Sequence, residues 1–273
     1  MTSFEKLILV TNDDGIDAIG LKTLVNVINT LGKVIVVAPS VQRSAGGKSV
    51  TYSSPLRLNK AESHFSPEII AYSVDGTPAD SVIMGLYLIK KKFGKRPNLI
   101  VSGINSGDNT SVQSILTSGT CAAAFEGAIV GITSIAFSLE VPITELFSKP
   151  SNSDSNFDNA ANHAGKIIKN VLKHPLPNGI KFLNVNFPSS VNVDTPYDIV
   201  RLCPIKYVDE AIEQTDPRGV PIYWIWGDVV SNLPQDTDSH SLLIKKLITI
   251  TPIGLGFDQE LLNSLENYFL KQI

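Results

Sequence analysis

The first half of the chain alternates short apolar runs with segments whose apolar residues recur at helical spacing. This alternation restricts the possible folds more than any other feature. Leu7–Thr11 and Val34–Ala38 are short apolar runs, as is typical of buried parallel strands. Between them, apolar residues follow the i, i+3, i+4, i+7 pattern of an amphipathic helix, namely Leu21, Leu24, Val25, Ile28 and Leu31. The sequence therefore predicts a β-α-β unit that begins at Leu7.

The same alternation continues to about residue 187. Helical patterns follow Thr77-Pro78, which caps and opens a helix, and recur at 118–131 and 157–171. Gly103–Thr117 is expected to be a polar loop. Further strands are predicted over Ile69–Val74, Leu99–Ser102, Ser134–Leu139 and Phe182–Val185. Strands that alternate with helices in this way predict an α/β fold, in which helices flank a mostly parallel sheet.

The pattern changes after residue 187. Asp198–Cys203 and Ile222–Val230 are predicted strands with little helical periodicity between them. Asp216–Gly219 has the composition of a turn, so this stretch is expected to form a β-hairpin arm that leaves the core. A last strand is expected at Ile248–Ile250. A final helix is indicated by Leu261, Leu262, Leu265 and Phe269. The simplest organisation is a single domain, with a core over about 1–187, an extension over about 188–250 and a C-terminal helix over about 257–272.

Composition excludes several classes of protein. With 273 residues and 43% hydrophobic residues, the chain can bury a sizeable core without disulfides. A net charge of −3 argues against a nucleic-acid partner, because binding to the phosphate backbone requires clustered Lys and Arg. The only cysteines, Cys121 and Cys203, are expected to be small buried residues rather than metal ligands. Neither a signal peptide nor an apolar run long enough to span a membrane is visible, so a cytoplasmic protein without a membrane partner is expected.

Ligands of an open parallel sheet bind outside the carboxyl ends of its strands, so the loops after the strands are the places to search for a site. Asp13 and Asp14 directly follow the first strand. Adjacent carboxylates there repel bare phosphate, but they suit a hard divalent cation such as Mg²⁺ or Mn²⁺. The alternative is a plain Asp-Gly turn.

The loop after the second strand contains Gly-Lys-Ser, but it is not a phosphate-binding P-loop. That motif requires glycine where this chain has Gln42. What remains is a loop of small residues with two cations, Arg43 and Lys48. Such a loop could offer a metal ligand, from either Ser40 or Ser44, or contact an anion. The alternative is a flexible glycine loop with solvated charges.

A third polar segment follows the Leu99–Ser102 strand. Asn105 supplies a carbonyl oxygen that suits a hard cation. Ser118, Gly119 and Thr120 lie where the alanine-rich helix begins, and unpaired amides at a helix N-terminus bind phosphate. The alternative is an ordinary loop with Ser118 as the helix cap. Together the three loops predict one divalent cation that has an open position for a phosphate oxygen.

Other hydrolytic chemistries have less support. No serine lies in a G-x-S-x-G motif, and the four histidines lack metal-binding spacing. Phosphatases that form an aspartyl phosphate place their two aspartates at D-x-D spacing, whereas Asp13 and Asp14 are adjacent.

Read in order, these motifs resemble those of the SurE family, the stationary-phase survival proteins that act as 5'-nucleotidases. The resemblance extends from about Ile8 to Gly254. The motifs that carry it are Thr11–Ile16, Ala38-Pro39 with Gln42-Arg43-Ser44, Val74–Asp80, Val101–Asn105, Ser118–Thr120 with Glu126-Gly127, Asp216–Gly219, Tyr223-Trp224, Asp236–Asp238 and Ile250–Pro252. It implies a Rossmann-like core, a swapped C-terminal element and a homodimer or homotetramer.

The resemblance also implies an activity and a set of site residues. It implies a metal-dependent phosphatase that acts on nucleoside 5'-monophosphates, with 3'-monophosphates and short polyphosphate as candidate further substrates. By motif, the metal ligands are Asp13, Asp14, Ser44 and Asn105, and the phosphate or substrate is bound by Asn105, Ser118, Gly119 and Thr120. Asp13 or Asp14 is expected to orient or deprotonate the attacking water. The alternative is a metal-dependent protein that binds a nucleotide or phosphate without turnover.

Two further motifs allow a structural or a functional interpretation. Asp75–Pro78 either shapes a base or ribose pocket or is simply a turn from strand to helix capped by Thr77. Tyr223, Trp224 and Trp226 either stack on a nucleobase or, as aromatic residues more often do, pack in a core or an interface.

Overall fold

The computed structural model describes residues 6–142, 155–256 and 259–270. A nine-stranded sheet has the order β3-β4-β2-β1-β5-β6-β7-β11-β8, and a separate two-stranded sheet pairs β10 with β9. The strands are β1 (Leu7–Thr11), β2 (Lys33–Pro39), β3 (Leu58–Lys60), β4 (Ile70–Val74), β5 (Leu99–Ser106), β6 (Ser134–Leu139), β7 (Phe182–Phe187), β8 (Tyr197–Ile199), β9 (Tyr207–Thr215), β10 (Pro221–Val229) and β11 (Ile248–Ile253).

Helices cover both faces of the large sheet. They are α1 (Ile19–Ile28), α2 (Pro78–Phe93), α3 (Ser111–Thr117), α4 (Gly119–Ile129), α5 (Ser155–Lys173), α6 (Asp238–Leu243) and α7 (Gln259–Leu270). Apolar side chains of α1 and α5 pack on one face of the central strands, and those of α2 and α4 pack on the other. Neighbouring side chains of a strand point to opposite faces, so β1, β6 and β7, which are covered on both faces, are buried along their whole length.

The predicted α/β fold is confirmed. Every neighbouring pair from β4 to β7 in the sheet order is parallel, whereas β3 and β11 pair antiparallel to β4 and β7. Along the sheet, β2 lies on one side of β1 and β5 on the other. The strand order therefore changes direction between β1 and β5. In open α/β sheets, ligands bind at such a switch point.

One segment of the core differs from its prediction. Gly103–Thr117 was expected to be a polar loop, but its first four residues extend β5 and its last seven form α3. The sequence suggested a loop because the segment is polar and its few apolar residues show little helical periodicity. Long-range contacts decide otherwise: the Val112 amide donates to the Cys203 carbonyl (2.9 Å), and the Ser111 amide to Asp238 Oδ2 (3.0 Å). These partners are more than 90 residues away along the chain.

A hairpin arm is present as β9 and β10, joined at Asp216–Gly219, but only its second strand was predicted. The strand predicted over Asp198–Cys203 is wrong beyond Ile199, since only its start forms β8, which belongs to the large sheet. The Asp216 carboxylate accepts from the amides of Arg218 and Val220, and Gly219 adopts the positive φ of +83° that such a turn requires. Almost every residue of the arm is exposed. The predicted final helix is present as α7. Its apolar residues Leu262 and Leu265 are exposed, and the side chains of Leu261 and Phe269 lie outside the described residues. No helix of the described residues is long and apolar enough to cross a membrane.

Candidate active site

Two carboxylates and an amide lie together at the switch point of the sheet. Asp13 and Asp14 follow β1, and Asn105 lies near the carboxyl end of β5, the strand paired with β1. The Asp14 carboxylate joins the two segments, since its Oδ2 accepts a hydrogen bond from the backbone N–H of Ser106 (3.0 Å). The structure thus brings the predicted residues of the first and third loops to one edge of the sheet.

Asp13 is buried against the start of α4. Its side chain accepts a hydrogen bond from the Thr120 hydroxyl, and the residue is only 5% exposed. Burial raises the pKa of Asp13, although hydrogen bonds from Thr120 and from the amides of Asp13, Thr120 and Gly119 oppose that rise. A carboxylate at a helix N-terminus is favoured by the helix dipole. In this structure Asp13 therefore occupies the position where a phosphate was expected, and the Thr120 hydroxyl is engaged by it.

Gly119 is the residue that allows this close approach. A Cβ atom built on Gly119 would lie 2.7 Å from Asp13 Cβ and 2.9 Å from Asp13 Oδ2. On the other side it would lie 3.1 Å from Cγ of Pro78, the first residue of α2. The first turns of α2 and α4 therefore meet Asp13 with no space for a side chain between them.

Asp14 is half-buried and faces both neighbouring loops. Besides Ser106, it contacts Gln42, whose Nε2 lies 3.5 Å from Asp14 Oδ1. Burial and the repulsion of the adjacent Asp13 carboxylate raise the pKa of Asp14 to about 7. Two carboxylates so placed disfavour each other's ionised form, and a nearby cation favours it.

The loop after β2 is attached to the carboxylates at one end and to α3 at the other. The Arg43 amide donates to the Asp13 carbonyl oxygen (2.7 Å), and the Gly47 amide to the Thr117 carbonyl (2.8 Å). Ser44 is exposed and directly follows Arg43. The Lys48 ammonium lies 2.8 Å from Glu126 Oε2 on α4, so this predicted loop cation is paired with a carboxylate of the chain.

Asn105 and Ser118 are held in defined orientations. The Asn105 side-chain Nδ2 donates to the Gly107 carbonyl (2.6 Å), so the other end of the amide group, the carbonyl Oδ1, faces away from that bond. Ser118 is the N-cap of α4, and its hydroxyl accepts from the Cys121 amide (3.0 Å). The prediction that Ser118 caps the helix is therefore confirmed. Its role in phosphate binding stays a prediction.

The oxygen-rich surroundings suit a hard cation. Three buried polar atoms near the ends of β1 and β5 make no hydrogen bond with the described residues: Thr11 Oγ1, Asn12 Oδ1 and Ser102 Oγ. Unpaired buried polar atoms are rare and indicate a missing water, ion or ligand. Among the described residues, no group of three or more His, Cys, Asp or Glu side chains could hold a metal ion. A cation here therefore depends on two carboxylates completed by neutral oxygens, as the sequence predicts.

The Asp75–Pro78 motif has a structural role. The Thr77 hydroxyl accepts from the Asp80 amide (3.1 Å), and Asp80 Oδ2 accepts from the Thr77 amide (2.9 Å). This reciprocal pair is a capping box, so the predicted Thr77 cap is confirmed. Asp80 also accepts from the amide and hydroxyl of Thr51. The motif thereby anchors the loop that continues from Lys48.

Some residues that orient the site were not predicted from the sequence. Gln42 and the Ser106 amide contact Asp14, but only the three-dimensional approach of the loops shows it. Gln113 of α3 binds the backbone of Lys206 and Tyr207 at the root of the arm. The sequence pointed to Gln42 only through its place in the Gln42-Arg43-Ser44 motif. No sequence pattern pointed to Gln113.

Comparison with known proteins identifies the family. Residues 8–209 match the family described as Survival protein SurE. Curated relatives named 5'-nucleotidase SurE include one from Methanosarcina acetivorans, 40% identical over 250 residues, which covers 91% of each chain. Another, from Thermococcus gammatolerans, is 40% identical over 248 residues, with 91% of this chain and 90% of the relative covered.

A solved structure agrees with this assignment. The crystal structure of a SurE protein from Aquifex aeolicus superposes with a TM-score of 0.77 at 32% identity, over 96% of this chain and 98% of that one. The fold, the sequence match and the placement of the motifs around Asp13 lead to the same conclusion. The chain belongs to the SurE family.

Proposed function

We propose that this protein is a divalent-metal-dependent 5'-nucleotidase, which hydrolyses nucleoside 5'-monophosphates to nucleoside and phosphate. The observation that carries the proposal is the meeting of Asp13, Asp14 and Asn105 at the switch point, beside the first turn of α4. The relatives named 5'-nucleotidase, which match over nine-tenths of the chain, support the reaction and the substrate class.

The cation is proposed to bind Asp13, Asp14, Asn105 and Ser44. These residues supply two carboxylates, one amide carbonyl and one hydroxyl, a set of hard oxygen ligands that suits Mg²⁺ or Mn²⁺. When bound, such a cation would offset the charge of both carboxylates, polarise the phosphoryl group and lower the pKa of a water molecule. The unpaired buried oxygens Thr11 Oγ1, Asn12 Oδ1 and Ser102 Oγ support a site that is completed by a ligand.

Ser118, Gly119 and Thr120 are proposed to bind the phosphate group. They form the cap and first turn of α4, where the helix dipole favours an anion. Because the Asp13 carboxylate already lies there, a phosphate binds beside it only when the charge of Asp13 is offset. This requirement makes phosphate binding depend on the metal.

The attacking water is proposed to be oriented or deprotonated by the Asp13 and Asp14 pair. Asp14 is the more accessible of the two, because it is half-buried whereas Asp13 is buried. The Ser106 amide, which donates to Asp14 Oδ2, holds one oxygen in place and thereby directs the other. Asp14 is therefore the carboxylate that we assign to the water.

The test is phosphate release from AMP by protein stripped of metal with EDTA, before and after Mn²⁺ or Mg²⁺ is added. Release only with metal is expected. Release that is equally fast without metal would refute the metal-dependent mechanism. The same assay with 3'-AMP and with tripolyphosphate, a short polyphosphate, measures whether the activity extends to those substrates.

A second candidate function is binding of a nucleotide without turnover. The observation that favours it is that each oxygen of Asp14 already has a partner, the Ser106 amide for Oδ2 and Gln42 Nε2 for Oδ1, so that neither is free to activate a water. The two functions are distinguished by the fate of the nucleotide. AMP incubated with metal-loaded protein is recovered as adenosine if the protein is an enzyme, and as AMP if it is a binding protein.

We further propose that the protein assembles into a homodimer or homotetramer through the hairpin arm. The arm exposes large apolar side chains on both faces, among them Trp224 (60% exposed) and Ile225 (81%). A two-stranded hairpin is marginally stable alone, and exposed apolar patches mark interaction sites. Light scattering after size exclusion is expected to give the mass of two or four chains. Ile225→Lys is expected to reduce it, and a monomeric wild-type protein would refute the proposal.

A further inference from the structure

The most deeply buried lysine of the described chain lies at the root of the arm and binds the segment that carries Asn105. Lys206 is 1% exposed, and its Nζ lies 2.5 Å from Asp108 Oδ1. A lysine is almost never buried unless it is paired, so this contact is the reason that the ammonium group is tolerated there. The attraction of Asp108 outweighs the effect of burial and holds the pKa of Lys206 above its ordinary value.

The backbone around Lys206 is fixed as firmly as its side chain. Gln113 Oε1 accepts from the amides of Lys206 (2.8 Å) and Tyr207 (3.0 Å), while its Nε2 donates to the Tyr207 carbonyl (3.0 Å). The Val230 amide donates to the Lys206 carbonyl (2.9 Å) and closes the root of the arm. The backbone that carries the Lys206 side chain is therefore held in place by hydrogen bonds, which fixes the position of the ammonium group beside Asp108.

A short series of direct contacts connects this ion pair to the proposed metal ligand. Asp108 Oδ1 also accepts from the amide (3.2 Å) and hydroxyl (2.6 Å) of Thr110, so the turn at Asp108 is defined. The peptide bond before Asp108 carries the Gly107 carbonyl oxygen, which accepts from Asn105 Nδ2 (2.6 Å). Gly107 itself has a φ of +116°, a conformation that residues with side chains rarely adopt.

From these contacts we propose that Lys206 is a positioning residue, which acts through Asp108 and the Gly107 carbonyl to aim the Asn105 side-chain oxygen at the metal. A residue that orients a metal ligand without contacting the metal also affects metal binding. Its replacement typically lowers metal affinity by about 10–100-fold. This inference rests on the proposed function, since it requires that Asn105 bind a metal. It adds to that function a residue 101 positions away along the chain, outside the motifs of the site.

The test is calorimetric titration of metal-free protein with Mn²⁺, together with AMP hydrolysis. Lys206→Met alone leaves the largely buried Asp108 carboxylate without its cation, which destabilises the fold. The double variant Lys206→Met/Asp108→Asn removes both charges and keeps an acceptor for Thr110. We expect it to bind Mn²⁺ about 10–100-fold more weakly than the wild type. The control is Lys22→Met, which removes an exposed ion pair with Asp17 and is expected to bind Mn²⁺ like the wild type.

A combination with Asn105→Ala separates positioning from a general structural effect. If Lys206 acts through Asn105, the triple variant binds Mn²⁺ no more weakly than Asn105→Ala alone, because the two changes remove the same contribution. Additive losses, or wild-type affinity in the double variant, would overturn the inference and leave the proposed function standing. A wild-type protein that neither binds Mn²⁺ nor releases phosphate would instead overturn the proposed function, and this inference with it.

Discussion

Replacing Gly119 by alanine is expected to abolish most of the activity while leaving the protein folded. The added Cβ would lie 2.7 Å from Asp13 Cβ and 2.9 Å from Asp13 Oδ2. Carbon atoms in contact are normally about 3.5–4.0 Å apart, so Asp13 or the first turn of α4 must move by about 1 Å. Overpacking of this kind costs about 1–3 kcal/mol of stability. A displacement of about 1 Å in an active site costs about 100-fold in rate.

The assay is metal-dependent phosphate release from AMP at saturating Mn²⁺, with the free energy of unfolding measured in urea. The matched control is Gly46→Ala in the neighbouring loop, where the added Cβ meets nothing closer than 3.7 Å. We expect kcat/KM to fall about 100-fold for Gly119→Ala and to stay at the wild-type level for Gly46→Ala. Wild-type activity in Gly119→Ala would refute the conclusion that the contact between Asp13 and α4 defines the site.

Three further predictions concern charge and capping. Asp13→Asn keeps an acceptor for the Thr120 hydroxyl but removes the negative charge that the cation requires. It is expected to reduce phosphate release by at least about 100-fold and to leave the circular dichroism spectrum unchanged. Activity near the wild-type level would contradict the assignment of Asp13 as a metal ligand. Thr77→Ala removes the capping box of α2 and is expected to cost about 1 kcal/mol in urea unfolding, whereas an unchanged midpoint would show that the cap is dispensable. Burial raises the pKa of Asp108, but the attraction of Lys206 outweighs it and holds that pKa below its ordinary 3.8. The pair therefore stabilises the fold above pH 3.8, and this stabilisation is lost as the pH falls through the lower pKa of Asp108 in the folded protein. The free energy of unfolding of the wild type should fall more between pH 6 and pH 3 than that of Lys206→Met/Asp108→Asn, and equal losses would refute the contribution of the pair.

The strands and helices of the core were predictable because their periodicity is a local property. Leu7–Thr11 and Ser134–Leu139 are strands with the predicted ends, since each is a short, buried and largely apolar run. The capping role of Thr77 was also readable, because a cap and the residue three positions later interact within one turn. Gly103–Thr117 was not predictable in this way. Its secondary structure depends on Cys203 and Asp238, whose positions a local pattern does not contain.

The candidate site was predictable as a set of loops but not as a geometry. The position of Asp13, Asp14 and Asn105 after strands was enough to predict that they share one edge of the sheet. Their position in the sequence was not enough to predict that the Asp13 carboxylate would accept a hydrogen bond from the Thr120 hydroxyl at the start of α4. The resemblance to a known family chose Ser44 over Ser40, and the structure adds that the residue before Ser44 is bonded to Asp13.

The sequence by itself determined most strands and helices of the core, which residues are chemically suited to a divalent cation, and to which family the chain is similar. These properties follow from side-chain type and from spacing along the chain. Only the tertiary structure decided that Gly119 must lack a side chain and that Lys206 reaches Asp108. Those features arise from contacts between segments about 100 residues apart, and the identity of such partners is set by the packing of the sheet and its helices rather than by any pattern within one segment.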